Sequence, residues 1–226
     1  MTLGPEGLTE QAQGFADRLA ALLRAVLPDA PDVSAERRGD RVVVSPQSDV
    51  PLLVSGERLA TLEIHIRCRL DSRGMWLAVE ESSYKLSADL DRTPVLRFDY
   101  VRDATSTPGA HIQVHAHRGA LSHLLSRAGH PDAHDMSHLH VPVGGPRFRP
   151  SLEDVLQFLV AECRFDHVRG WRRAIDVGRE EWRRIQACAV ARDFPQEAAE
   201  TLRRLGYSVT APTLEPEASQ RALLIW

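Results

Sequence analysis

Lysine is nearly absent from this chain. Its 226 residues include 28 lysines and arginines together, and Lys85 is the single lysine. The bias toward arginine reads as the mark of a GC-rich genome. The formal net charge is −3, which excludes a polycationic chain, so any contact with nucleic acid must be local. Cysteine is also scarce. Cys68, Cys163 and Cys188 are odd in number and widely spaced, which excludes a disulfide scaffold. Cys68 and Cys188 fall on apolar stripes and are expected to be buried free thiols. No apolar run approaches the length of a membrane span, and Met1 to Gly7 lacks the basic start of a signal peptide. These absences lead us to expect a cytoplasmic protein with no membrane partner.

What remains is ordinary globular composition, 43% hydrophobic and 26% charged, in a chain long enough for a sizeable core. Residues 8–27 read as a helix with Phe15, Leu19, Leu22, Leu23 and Val26 on one stripe, Thr9 as N-cap and Pro28 as its stop. Residues 28–39 read as a connector, and Val42 to Val44 as a short strand. From Glu57 the period changes to two. Leu62, Ile64, Ile66, Cys68 and Leu70 alternate with Glu63, His65, Arg67 and Arg69, as in a half-buried strand. Further strands are expected at 75–86, around Leu96 to Tyr100, at 111–118 and at 137–143, joined by polar turns. Such a pattern describes an antiparallel meander with one packed and one open face.

The last third is helical. Pro150-Ser151 opens a helix with Ser151 as N-cap and Asp154 at N3. A long helix over about 169–191 should turn Trp171, Ile175, Trp182, Ile185 and Ala189 inward. Pro195 opens another helix that Gly206 closes, and Tyr207 to Val209 reads as a strand. The fold class is therefore α+β: a four- to five-stranded, mostly antiparallel sheet with helices on one face. Residues 1–160 form the α+β domain, and 161–226 a helical extension packed on it.

Eight of the ten histidines lie between residues 111 and 140. On a strand, His115 and His117 share a face about 6.5–7 Å apart, with His111 further along it. His138 and His140 repeat the spacing. Three chemistries suit such a cluster. Histidines can share a metal ion with a carboxylate from Asp99, Asp132 or Asp135. Two imidazoles titrating near neutral pH can act as base and acid on a phosphodiester while an arginine stabilises the developing charge. Hydrogen-bonded surface histidines are the third. The sequence names no cofactor. Gly144-Gly145-Pro146-Arg147-Phe148-Arg149, ahead of a helix, suits an anion or a structural turn. As a phosphate seat, Arg147 and Arg149 would work beside His138 and His140.

Several of these segments occur in a recognisable order. Tyr84 precedes Leu96-Arg97-Phe98-Asp99-Tyr100, then Pro108, His111 and His115-x-His117, then Arg149-Pro150-Ser151-Leu152-Glu153-Asp154-Val155-Leu156. Over about residues 60–160 this resembles the TumE-like toxin family of bacterial toxin–antitoxin systems. It departs in having His-x-His where that family more often has a His-His pair and a further His. It also departs in its N-terminal helix and its segment 161–226. The resemblance carries over Arg97, Asp99, His115 and His117, and implies a ribonuclease-like activity.

The expected function is thus a ribonuclease-like toxin or defence component. In it, His115 and His117 serve as base and acid, Arg97 stabilises charge and Asp99 orients a histidine. RNA and an antitoxin-like protein are the expected partners. The alternatives are a non-catalytic protein-interaction module and a His-ligated metal-dependent hydrolase. A ribonuclease needs the His and Arg rows on one face. An interaction module needs exposed apolar surface on the C-terminal helices. A hydrolase of this kind needs ligand atoms that meet at one point.

Overall fold

A computed structural model describes residues 5–91, 93–105, 107–116, 118–143 and 149–213. The helix α1 (Pro5–Val26) is followed by strands β1 (Val33–Arg38), β2 (Arg41–Pro46), β3 (Val50–Val54), β4 (Glu57–Leu70), β5 (Leu77–Ala88), β6 (Pro94–Val101) and β7 (Ala110–Val114). Then come α2 (Gly119–Arg127), a single 3-10 turn (Met136–His138), β8 (Val141–Pro142), α3 (Leu152–Ala161), α4 (Trp171–Asp193) and α5 (Pro195–Arg204). All strand pairings are antiparallel, in the order β1-β2-β4-β5-β6-β7-β8, and β3 pairs with β4 beside β2. The α+β class holds, but the sheet has eight strands among the described residues, not four or five.

The extra strands come from segments whose patterns are weak. The expected connector at 28–39 contains β1, closed onto β2 by a two-residue turn at Gly39-Asp40, where Gly39 takes φ +68°. β3 hides behind Pro51, which an edge strand tolerates because one side needs no donor. Its turn to β4, Ser55-Gly56, has positive φ at both residues, and the Asp166 carboxylate accepts both of their N–H groups, at 3.1 and 2.7 Å. β4 spans 14 residues, so its first half pairs with β3 and its second with β2.

Other boundaries also moved. Helix α1 begins before Thr9, which is therefore no N-cap. β7 ends at Val114, short of the expected Arg118, and the segment 137–143 is a 3-10 turn and a two-residue bridge, not a strand. Tyr207 to Val209 is not a strand. The tail from 214 lies outside the described residues.

Alternation decides what is buried. Val42 and Val44, Leu62, Ile64, Ile66 and Cys68, and Tyr84 and Leu86 point to one face, which we call inner. There they meet α1 through Leu19, Leu23 and Val26, α3 through Val155, Leu156 and Leu159, and the start of α4 through Trp171 and Ile175. This one buried cluster draws on the sheet, α1, α3 and α4 together. Beyond Ile175 the burial of α4 is partial: Ala189 is buried as expected and Trp182 is half-buried, but Ile185 and Cys188 are exposed, against expectation. No helix among the described residues is long and apolar enough to cross a membrane.

Helix α3 starts with the expected capping box. Ser151 Oγ accepts from the Asp154 N–H, and Asp154 Oδ2 accepts from the Ser151 N–H at 3.0 Å. Asp154 also takes Arg179 Nε at 3.1 Å, and Arg179 donates to Gln157 Oε1 at 2.6 Å, which ties α4 to α3. Ser151→Ala should cost about 1 kcal/mol in a urea melt, and Ser151→Gly only a few tenths of that.

Candidate functional site

The outer face of the sheet carries polar side chains from every central strand. β5 holds a β-bulge there: Arg67 faces Glu81 while Cys68 faces Val79, so Glu80 is the extra residue. The bulge turns two consecutive carboxylates toward the outer face. Glu80, with a side chain only 10% exposed, bonds Arg41 Nε at 2.7 Å and Arg67 Nε at 2.8 Å, with Arg69 Nη1 at 3.6 Å. Glu81 bonds Arg67, Asp103 bonds Arg69, and Lys85 is tied to Glu63 at 2.6 Å. The basic residues of this part of the face are therefore neutralised nearly one for one. The hydrogen bond from Arg41 is the largest cause holding the Glu80 carboxyl down to about 2, with the bond from Arg67 adding to it against the cost of burial.

Arg97 and Asp99 of β6 lie on this same face, as alternation requires. Asp99 is opposite His111 of β7, and Arg97 is opposite Gln113. Asp99 accepts Ser83 Oγ at 2.6 Å and Arg97 Nη2 at 3.0 Å, and its Oδ2 lies 3.9 Å from His111 Nε2. The histidine that Asp99 faces is thus His111, not His115 or His117. The Pro108 carbonyl, 2.8 Å from His111 Nδ1, can only accept, so that nitrogen carries the proton. The His111 ring stands edge-on to His140, with centroids 4.6 Å apart. Gln113 donates one amide proton to the Ser137 carbonyl at 2.7 Å and the other to His140 Nε2 at 3.3 Å. His140 Nε2 is the acceptor in that contact. Burial is the main cause keeping its pKa below the ordinary value, and the neighbouring His111 adds to it.

His115 lies just past the end of β7, anchored by its N–H to the Val95 carbonyl at 3.0 Å. That bond continues the register, so His115 follows His111 and Gln113 on the outer face, diagonal to Arg97. Two polar atoms here are buried with no hydrogen-bond partner among the described residues: Arg97 Nε and His115 Nε2. His117 lies outside the described residues, as does Arg147.

The expected phosphate seat does not assemble. His138 sits in the 3-10 turn, exposed, with Asp132 at 3.3 Å and Asp135 at 3.7 Å from its two ring nitrogens. It shares no strand face with His140. Arg149 is on the other side of the sheet, 4.3 Å over the ring of Tyr100, an inner-face residue. Among the described residues no group of three or more His, Cys, Asp or Glu side chains is arranged to hold a metal ion. The bulge at Glu80 and the Asp99–His111 contact are what sequence reasoning missed. Two adjacent glutamates inside a strand of otherwise alternating pattern were the available signal for the first.

No protein-family model, curated protein or solved structure matches the chain.

The Glu80 cluster makes an acid-sensitive clasp. Above pH 4.5 its stabilisation is fully present. As pH falls from 4.5 to about 2, the unfolded chain takes up a proton that the folded carboxylate refuses, and the stabilisation is lost. The span corresponds to about 3 kcal/mol before solvent screening of the half-exposed arginines. Urea melts between pH 6 and pH 2.5 should show this loss. Glu80→Gln should start lower by about 2 kcal/mol and lose less over the same range.

Proposed function

We propose that the outer-face edge formed by β6, β7 and the segment 129–143 is an acid–base site for a phosphodiester, with RNA as the substrate. The observation that carries this reading is the pair of unpartnered buried atoms, Arg97 Nε and His115 Nε2. Buried polar groups rarely go unpaired, and two on diagonal positions of one face suit a bound anion. Arg97, held by Asp99, would take a phosphate oxygen and stabilise the charge that develops on it. His115 would exchange the proton, and His140, its pKa lowered by burial, would be the second imidazole of the site. Asp99 and His111, both nearly buried, act as positioning residues from beneath.

Because the arginines around Glu80 are already paired, RNA would touch only this edge, through one or two phosphates. The resemblance of residues 60–160 to the TumE-like toxins points the same way, and an antitoxin-like partner belongs to that reading. One observation favours the interaction module instead. Helix α5 has no buried residue, and Leu202, Leu205 and Tyr207 are 41%, 70% and 65% exposed.

Three measurements test the proposal. Induced in a heterologous bacterial host at matched protein levels, the wild type should arrest growth, whereas His115→Ala and Arg97→Ala should not. In purified form each variant should cleave RNA about 100-fold more slowly while melting like the wild type. RNA affinity should also change shallowly with salt, with a log–log slope of about −1 to −2. A harmless wild type that leaves RNA intact would sink the reading and favour the interaction module.

A further inference from the structure

The inner face of the sheet is not sealed along its whole length. At Phe98 of β6 it is closed by α3, where Phe158 meets the Phe98 ring edge-on with centroids 6.1 Å apart. Beside that contact stand three hydroxyl side chains. Ser82 and Tyr100 are direct cross-strand partners, and Tyr84 follows Ser82 two residues on, opposite Phe98. The three share one face, with Cβ atoms about 5–8 Å apart. Ser82, Tyr84 and Tyr100 are only 6%, 7% and 5% exposed. None of their hydroxyls has a hydrogen-bond partner among the described residues. Nor are these oxygens sealed: the sealed, unpartnered side-chain atoms among the described residues are Ser87 Oγ, Arg97 Nε and His115 Nε2. A buried hydroxyl left unpaired costs about 1–3 kcal/mol, so three on one patch call for something to meet. Burial pushes the Tyr84 phenol above its ordinary pKa, so it stays protonated and can donate.

What they face is a cleft. All three line a cavity of about 1470 Å³ between the sheet, α1, the β4–β5 hairpin and the later turns of α4. An ordinary small-molecule site measures roughly 300–1,000 Å³. The walls away from the sheet carry apolar side chains, Phe15 and Leu19 from α1 and Trp182 and Ile185 from α4. Arg149 lies 4.3 Å over the Tyr100 ring, a contact with its π-face and not with its hydroxyl. The α4 wall is fixed at both ends. Trp171 and Ile175 enter the core, and at the far end Arg73 Nη2 donates to the Arg192 carbonyl at 3.1 Å while Arg192 lies 4.4 Å over the Trp76 ring. Neutral donors on one patch beside apolar walls suit an acceptor oxygen carried on an apolar body.

We infer that this cleft binds an uncharged aromatic ketone or related neutral carbonyl compound, its oxygen at the Ser82–Tyr84–Tyr100 hydroxyls and its apolar body against Trp182 and Ile185. The site lies on the opposite face from the proposed phosphodiester site, shares no residue with it and does not depend on that reading.

The test is fluorescence titration of the full chain with prodan, an uncharged naphthyl ketone whose emission reports the surroundings of its carbonyl. We expect saturable binding of one probe per chain. Tyr84→Phe and Tyr100→Phe should each weaken it about 5-fold, the loss of one hydrogen bond. Trp182→Ala should weaken it about 10-fold through lost apolar contact. Because the hydroxyls have no partner in the unliganded chain, both Phe variants should melt no lower than the wild type. 2-Acetylnaphthalene should displace the probe about 10-fold better than 2-ethylnaphthalene, which lacks the carbonyl, and better than 2-naphthoate, which carries a charge. The inference is overturned by absence of saturable binding, by equal competition from 2-ethylnaphthalene, by tighter competition from 2-naphthoate, by a lower melting temperature in either Phe variant, or by titrations that both Phe variants leave unchanged.

Discussion

The Glu80 carboxylate is the interaction on which the two faces of this sheet depend. One extra residue in β5 puts an acid where Arg41 of β2 and Arg67 and Arg69 of β4 converge, so three adjacent strands are clasped at one point. The same bulge breaks the alternation of the ladder, and the Val79 carbonyl just before it accepts the Arg102 side chain at 3.0 Å. A charge that is nearly buried must be paired or it costs several kcal/mol, which is why the arginines gather around it. Their pairing has a further effect. It removes most of the free positive charge from the open face and leaves the β6–β7 edge as the place where a guanidinium and an imidazole still have unmet bonding capacity.

At that edge the division of labour follows burial. Asp99 and His111 are covered, so they orient; Arg97, His115 and His140 are half-buried, so they can meet a ligand. Asp99 does three things with one carboxylate: it takes a hydroxyl from β5, a guanidinium from its own strand and faces an imidazole on β7. Such shared networks hold geometry more firmly than isolated surface pairs, because each bond limits the freedom of the next. On the inner face, α4 enters the core with Trp171 and Ile175, is tied to α3 through Arg179, and along its later turns lines one wall of a cleft.

The alternation in β4 was plain in the sequence because apolar and charged residues changed places over a full run, and burial followed it residue by residue. The α3 cap and the ends of α5 at Pro195 and Gly206 were equally readable, since each is a local steric or hydrogen-bonding rule. β1 and β3 were not readable: one is a charged edge hairpin, the other carries a proline. The His138-x-His140 spacing misled, because two alternating histidines look the same in a strand and in a turn pinned by Asp135.

By itself, then, the sequence determined the α+β class, the outward-facing row of Arg97, Asp99, His111 and His115, and the helical character of the last third. These follow from local periodicity and capping. Which histidine meets Asp99, that Arg149 lies on the other side of the sheet, that Glu80 gathers three arginines and that α4 leaves a cleft were decided by the tertiary structure alone. Strand register, a single inserted residue and the angle at which a helix leaves the core bring together residues far apart in the chain, and no local period encodes them.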